Sequence, residues 1–396
     1  MHLFVNDVIS MLSLVMPASR VAIVGAGLSD CGRVPDKTAM ALMAQSSRRA
    51  IADAGLTKDA VEGFGGHGTL LPPIEVSEYL GLRPVWVDAT NTGGSSWEVM
   101  ARHAAAAIAS GEIDVALLTY GSTARSDVKR RQRGSAAAMG TGGVLQYEAP
   151  YGATLIAKYA MAARRHMIDY GTTADQLAEV AVAAHEWAAM NDNAFDRERL
   201  TIDDVATAPM IADPFTTKHV CLRTDGGGAV VLASERVARD CAKEPIWILG
   251  AADATSHVSM SEWGDFTTSA AAISGPRAFA QAGVEPADID VCQLYDSFTA
   301  TVLLTLEDLG FCAKGEGGKF IESGALRPNG SLPTNTDGGG LAACHPGMRG
   351  MFLMVEAVRQ LRGECGPRQV ENARLACVHA MGGFFSHSAT MILGAN

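Results

Sequence analysis

The chain has 396 residues, 48% of them apolar and 19% charged, enough to bury one large core or two fused ones and too apolar for wholesale disorder. A net charge of −11 and a pI near 5.4 leave no basic stripe to displace counterions from phosphate, which excludes a nucleic-acid binder. The eight cysteines are scattered, with no CxxC pair or Cys/His cluster at ligand spacing. No metal site is therefore expected, and the thiols read as reduced and mostly buried in a cytoplasmic protein.

Residues 1–19 read as a loose N-terminal extension. The apolar stretch Met1–Met16 is broken by Asp7, has no Lys or Arg before it, and is too short to span a bilayer. No later segment reads as a membrane span. Arg20–Gly25 is a β-rich run closing on glycine, and residues 49–56 (Arg-Ala-Ile-Ala-Asp-Ala-Gly-Leu) read as a helix end with Gly55 at a left-handed cap. Gly25-Ala-Gly27 mimics a dinucleotide fingerprint but lacks its third glycine and its acidic partner. Val85–Gly94 is a strand running into a glycine turn, followed by a helix from about Ser95 to Ser110. Residues 122–215 form an insertion of helical pattern, for example from Asp175 to Met190. Its basic run, Lys129 to Arg133, reads as a solvated loop, the alternative being a clamp for the phosphates of a nucleotide-bearing substrate. Gly226–Ala233 is a closing strand.

The order then repeats. Pro245–Gly250 matches Arg20–Gly25, and residues 277–284 (Arg-Ala-Phe-Ala-Gln-Ala-Gly-Val) match the earlier helix end, with Gly283 at the cap. Leu332–Gly340 matches Val85–Gly94 and precedes a helix from about Gly350 to Arg362; Gly382–Leu393 closes the second copy as a strand. The expected organisation is a first half over 20–240 including the insertion, and a second half over 241–396. Alternating strands and helices predict βαβ units, and two stacked copies predict an α/β fold of five layers, α-β-α-β-α. Ligands of such sheets bind beyond the carboxyl ends of the strands. The loops 91–96, 295–299, 338–347 and 377–384 are the site candidates, with the insertion over their mouth.

These loops read Asn91-Thr-Gly-Gly-Ser-Ser96, Tyr295-Asp-Ser-Phe298, Gly338-Gly-Gly-Leu-Ala-Ala-Cys-His-Pro-Gly347 and His379-Ala-Met-Gly-Gly383. With the duplication, they resemble the thiolase superfamily, nearest its sterol-carrier-protein-x or lipid-transfer branch, from about residue 20 to the end. A thiolase carries Asn-x-x-Cys in the first loop, and that cysteine attacks the acyl carbonyl. Here Gly94 stands in its place, which is expected to leave room for a bulkier acyl group or a water. Ser95 and Ser96 read as helix N-caps. The resemblance implies that His345, of the retained His-Pro, polarises a thioester, and that His379 matches the histidine of the sterol-carrier branch. Cys344 is expected to be a buried thiol pointing away from its neighbour His345, and His387 a structural residue of the last strand.

Without the nucleophile, acyl exchange through a covalent intermediate is lost, whereas cleavage of a β-hydroxyacyl-CoA needs only a base, an oxyanion pocket and an acid. The pattern is similar to lipid-transfer-type aldolases of steroid side-chain breakdown, which use tyrosines and a small DUF35-type OB-fold partner. Tyr295 matches one such tyrosine; the loop from which that group supplies another reads His345-Pro-Gly-Met-Arg349 in this chain, a departure from its pattern. The resemblance thus implies a retro-aldol carbon–carbon lyase with Tyr295, His345 and His379 as catalytic residues. Tyr295 is expected to have its pKa lowered by neighbours such as His345 or to relay a proton. Gly94, Ser95, Asp296 and Ser297 are expected to bind substrate, together with Asn335, Gly339 and Gly383. No cofactor is expected beyond the coenzyme A of the substrate, and the family implies a homodimer paired through the first half's sheet edge. Two alternatives stay open: an acyltransferase using Ser95 or a cysteine from elsewhere, and a non-catalytic acyl-CoA or lipid binder.

Overall fold

The β-branched and small residues of Val21-Ala-Ile-Val and Ile246-Trp-Ile-Leu open two strands at the centre of the molecule, where both faces of the sheet are covered. The structure, a computed structural model, describes residues 20–67, 71–127, 143–152 and 154–395. The N-terminal extension and the basic run of residues 129–133 lie outside the described residues.

The first half comprises β1 (Val21–Leu28), α1 (Ala39–Asp53), β2 (Gly63–Gly66), α2 (Pro72–Leu80), β3 (Trp86–Asp88), α3 (Ser96–Ala109) and β4 (Val115–Ser122). The insertion follows with α4 (Leu155–Tyr170), α5 (Ala174–Ala189) and a small hairpin of β5 (Met210–Ala212) and β6 (Phe215–Thr216), before β7 (Gly226–Ser234). The second half comprises β8 (Ile246–Thr255), α6 (Ala271–Ala282), β9 (Val291–Leu294), α7 (Thr299–Asp308), α8 (Gly350–Leu361), β10 (Leu375–Gly382) and β11 (His387–Gly394).

The strands are ordered β3-β2-β4-β7-β1-β8-β11-β10-β9, and the halves meet through two residue pairs, Ala22 with Trp247 and Ile23 with Ile246. Read outward from that joint, the halves repeat each other. β1 and β8 run antiparallel to β7 and β11, these antiparallel to β4 and β10, and these parallel to β2 and β9. β2 then pairs in parallel with β3, and β9 with the single bridge at Thr334. The sheet is therefore mixed rather than built of βαβ units alone.

Helix α1 packs on β1, β4 and β7, and α6 on β8 and β11, while α3 and α8 touch strands of both halves. The layers are α1, first half-sheet, α3 with α8, second half-sheet, α6, so the chain has the expected five-layer α-β-α-β-α fold. Being sandwiched explains the sequence of α8, Gly-Met-Phe-Leu-Met-Val-Glu-Ala-Val-Arg-Gln-Leu, which is apolar around most of its circumference. Its one buried acid, Glu356, is paired with Arg368.

Two boundaries differ from the sequence reading. β1 and β8 run through their glycines instead of stopping there, because Gly25 and Gly250 let the outer helices press onto the sheet. A Cβ would lie 2.1 Å from the Ala50 carbonyl oxygen at Gly25 and 2.2 Å from that of Ala278 at Gly250. The last run, Gly382–Leu393, is not one strand: it holds the end of β10, a turn at 383–386 and most of β11.

Candidate active site

The turn at Gly93–Ser95 leads into α3, and its middle residue is buried under a ring from the other half. A Cβ at Gly94 would lie 2.4 Å from Tyr295 Cε2, 2.6 Å from Tyr295 Cζ and 2.5 Å from the Met381 carbonyl oxygen. Contrary to the expectation of vacant room, the tyrosine occupies the space that a side chain at 94 would fill. Glycine is required there as long as Tyr295 is present.

Tyr295 follows β9 and is held by its backbone. Its N–H donates to the His379 carbonyl at 2.9 Å, and its carbonyl accepts from Thr301 Oγ1 at 3.0 Å. Its buried hydroxyl lies 3.1 Å from His345 Nε2, and the two rings meet edge to face with centroids 5.6 Å apart. Burial raises the Tyr295 pKa well above its usual value, the reverse of the lowering expected from the sequence. Burial, reinforced by the Arg349 guanidinium, pushes the His345 imidazole down to about 4. Both members of the pair are therefore neutral near pH 7.

His345 sits at the end of a tight π-turn, Gly339–Ala343, and its N–H donates to Thr224 Oγ1 at 2.9 Å. That turn rests on buried charges. Asp296 accepts from Gly340 N at 2.8 Å and Leu341 N at 3.1 Å, and lies 3.4 Å from Arg349 Nε. Arg349, itself fully buried, donates to Asp337 at 2.5 Å and to the Cys344 carbonyl at 2.7 Å. Asp296 was expected to bind substrate; its carboxylate is instead spent on the loop backbone. Asn335 is also structural, its Oδ1 accepting from Leu294 N at 2.8 Å. Gly339 gives close approach, since a Cβ there would strike Asp296 Oδ2 at 2.0 Å.

The remaining expected residues divide. Ser297 Oγ is buried beside the Tyr159 hydroxyl, close enough to favour that group's ionised form. Gly383 is exposed at the loop tip, and its carbonyl accepts from Tyr159 Oη at 2.7 Å. Ser95 does not cap α3. Its hydroxyl is buried against His387 Nδ1 at 2.8 Å, and His387 Nε2 lies 3.5 Å from Asp253. Ser96 Oγ accepts from Thr92 N and donates to Gly93 O, within the turn. The His379 side chain, unlike its backbone carbonyl, makes no hydrogen bond to the Tyr295–His345 pair among the described residues. Its Nδ1 meets Thr390, whose hydroxyl meets Ser274 of the outer helix α6, and burial pushes its imidazole down to about 3. Cys344 is buried with its sulfur 3.2 Å from Thr224 Oγ1, as expected.

Three neighbours were not picked out from the sequence. Tyr159 of α4, a helix capped by Thr154, stacks on Phe298 at 4.4 Å and roofs the loops with insertion residues. Arg349 lies four residues after His345, and that spacing within a glycine-rich loop is a signal that could have found it. Cys221 is partly exposed and donates its N–H to the Ser297 carbonyl at 2.9 Å. Its thiol is close enough to raise the cost of ionising Tyr295 and Tyr159, and burial pushes it up to about 12. It is a protonated thiol, not a ready nucleophile. Among the described residues, no group of His, Cys, Asp and Glu could hold a metal ion, and no helix is long and apolar enough to cross a membrane.

Residues 252–395 match the family described as thiolase C-terminal domain-like. The acetyl-CoA acetyltransferase of Methanothermobacter thermautotrophicus is 33% identical over 373 residues, covering 92% of this chain and 96% of that protein. The 17-hydroxy-3-oxo-4-pregnene-20-carboxyl-CoA lyase of Mycobacterium tuberculosis is 34% identical over 360 residues, covering 88% and 93%. The solved Ltp2-ChsH2(DUF35) aldolase superimposes with a TM-score of 0.86 at 31% identity, over 96% of this chain and 99% of that one. With near-complete coverage of its relatives and the five-layer duplicated fold, the chain belongs to the thiolase superfamily.

Proposed function

We propose that the protein is a carbon–carbon lyase that cleaves a β-hydroxyacyl-CoA by a retro-aldol reaction. The observation that carries this reading is the Tyr295 ring lying where a nucleophilic cysteine at position 94 would lie, with its hydroxyl 3.1 Å from His345 Nε2. Such a pair moves protons and forms no acyl-enzyme.

The substrate's β-hydroxyl donates to the Tyr295 oxygen while Tyr295 passes its own proton to His345 Nε2. As the O–H bond breaks, the β-carbon becomes a carbonyl, and the Cα–Cβ electron pair moves into the thioester as an enolate. Proton return to Cα gives a shorter acyl-CoA and a ketone or aldehyde, so atoms and charge balance. With both side chains neutral at rest, concerted transfer avoids a free phenolate in a buried site. Ser297 Oγ, buried beside the Tyr159 hydroxyl, is the hydroxyl we assign to a polar atom of the substrate.

The same proposal includes two partners. A DUF35-type OB-fold protein is supported by the structural neighbour, a complex with ChsH2(DUF35). A homodimer through the outer edge of β3 is supported by Val85 and Val87, 79% and 52% exposed at the start of and within that strand. A second reading, acyl transfer, is favoured by the acetyltransferase relative, with Cys221, a protonated thiol near Tyr295, as the sulfur it would have to activate.

One experiment separates the two. Purified protein, alone and with its DUF35-type partner, is incubated with a branched β-hydroxyacyl-CoA and followed by mass spectrometry of small molecules and of the intact chain. The lyase gives a shortened acyl-CoA and a carbonyl product with no mass added to the protein. An acyl adduct on Cys221 without carbonyl product would replace this reading by the second.

A further inference from the structure

One helical turn beyond Gly94 in α3 stands Glu98, 1% exposed, with neither carboxyl oxygen hydrogen-bonded among the described residues. Ser95 and Glu98 have the spacing of a capping box, yet neither reaches the helix N-terminus. The carboxyl group is turned toward the start of α8 instead. A Cβ at Gly350 would lie 2.4 Å from Glu98 Oε2, 2.7 Å from Oε1 and 2.4 Å from the Gly94 carbonyl oxygen. Glu98 and the Gly94 carbonyl thus flank one point in the central helical layer, directly behind the turn that supports the Tyr295 ring.

A buried carboxylate with no charged partner is strongly disfavoured, and burial outweighs the effect of Glu98's own backbone N–H and pushes this one up to about 8. The charged and titratable groups on the surrounding elements are committed elsewhere. Arg102 of α3 pairs with Asp253 of β8, Arg349 with Asp337 and Asp296, and Glu356 of α8 with Arg368. Tyr120 of β4 donates to the Pro346 carbonyl, His387 of β11 meets Ser95, and His379 of β10 meets Thr390. A protonated carboxyl has one hydrogen to donate, and a carbonyl oxygen has a second lone pair to receive it.

We propose that Glu98 is a positioning residue: a neutral acid that donates to the Gly94 carbonyl and fixes the turn against which Tyr295 is held. Tyr295 titrates far above neutrality and His345 far below it, while the Cys31 thiol is held below its usual value by Cys344, so an alkaline loss of activity is assigned to Glu98 by its disappearance in E98Q. The kinetic part rests on the lyase reading; the thermal part does not.

Two variants test it in the intact protein with any partner it requires. Glu98→Gln keeps a donor that cannot ionise, and Glu98→Leu keeps the volume without one. For the wild type, kcat should fall between pH 7 and 9; E98Q should stay within about threefold of wild type at pH 6.5 and lose that fall. E98L should lose about tenfold or more in kcat with KM little changed, as expected of a displaced reacting group. Independently of catalysis, Glu98 is protonated in both states below its unfolded pKa; above it the unfolded chain ionises first, so the wild type loses stability as pH rises toward 8. The Tm advantage of E98Q over wild type should therefore widen from pH 5 to pH 8. A Tm difference that does not change with pH would show that Glu98 holds no proton, and equal kcat for E98L and E98Q would show that its hydrogen bond positions nothing. Either overturns the proposal. Should the reaction be acyl transfer, the kinetics are read on that reaction; should there be none, affinity for the acyl-CoA replaces kcat.

Discussion

The segments Trp86–Gly94 and Leu332–Gly340 occupy equivalent places in the two halves, each beside the outermost parallel strand and each ending in a glycine loop. The first is a true edge strand, half exposed, and its loop ends at a glycine covered by another segment's ring. The second pairs only at Thr334 and is buried throughout its loop. The insertion covers it: Trp187 Nε1 donates to the Leu326 carbonyl at 2.9 Å and Asn191 Nδ2 to the Asp337 carbonyl at 2.8 Å. Duplication supplied two similar loops, and the insertion made them different. The covered one is an ionic frame through Asp337 and Arg349, and the uncovered one keeps an open strand edge and a floor for the site.

Tyr295 is where the two meet, so breaking it has the largest effect. Tyr295→Phe keeps the ring over Gly94 and removes only the hydroxyl that faces His345. Lyase turnover should fall by about 10³-fold, the range for a lost acid–base group, while acyl-CoA affinity stays within a few-fold. Steady-state kinetics and calorimetric binding check this; an equally active variant removes Tyr295 from the chemistry.

Restoring the thiolase residue sharpens the comparison next. Gly94→Cys in the wild-type background forces a Cβ to within 2.4 Å of the Tyr295 ring and 2.5 Å of backbone. Overpacking of this kind should cost about 1–3 kcal/mol in stability. Removing the ring with Tyr295→Asn should relieve part of it, so the double variant should be more stable than the sum of the singles. Denaturant unfolding of the four-member cycle measures that coupling. Additive costs would mean that the ring and the position-94 side chain do not compete for one space.

The duplication was readable because it is written in helix caps and strand runs: Gly55 and Gly283 have φ of +70° and +68° at equivalent helix ends. The missing nucleophile and the facing residues Tyr295 and His345 were readable because the motifs are short and contiguous. What could not be read was long-range. Nothing local tells that Tyr295 packs into the space beside a glycine some two hundred positions earlier, and so Gly94 was taken to leave room. Burial was equally invisible, and it is burial that drives Tyr295 up and His345 down. Asp296 and Asn335 were expected to bind substrate, and their side-chain oxygens accept from backbone N–H groups of neighbouring segments, a long-range pairing no local motif displays. His379 lies in the right strand, but strand alternation turns its ring toward the outer helix.

The smallest effect on the folded chain, and the test of the outer end of the comparison, lies at Val87. β3 offers unpaired backbone beside Val85 and Val87, with Ile74 and Tyr79 of α2 also 63% and 57% exposed. A second copy can add its own β3 there and bury these side chains, whereas the corresponding edge of the second half is closed by residues 332–335 and the insertion. Val87→Lys places a charge on the edge, a standard means of blocking strand pairing. Because Val87 is 52% exposed, the monomer itself should change by less than about 0.5 kcal/mol. Light scattering should show a dimer for the wild type and a monomer for the variant. A variant that remains dimeric would move the interface away from β3, and the asymmetry between the two edges would then reflect the insertion's cover alone.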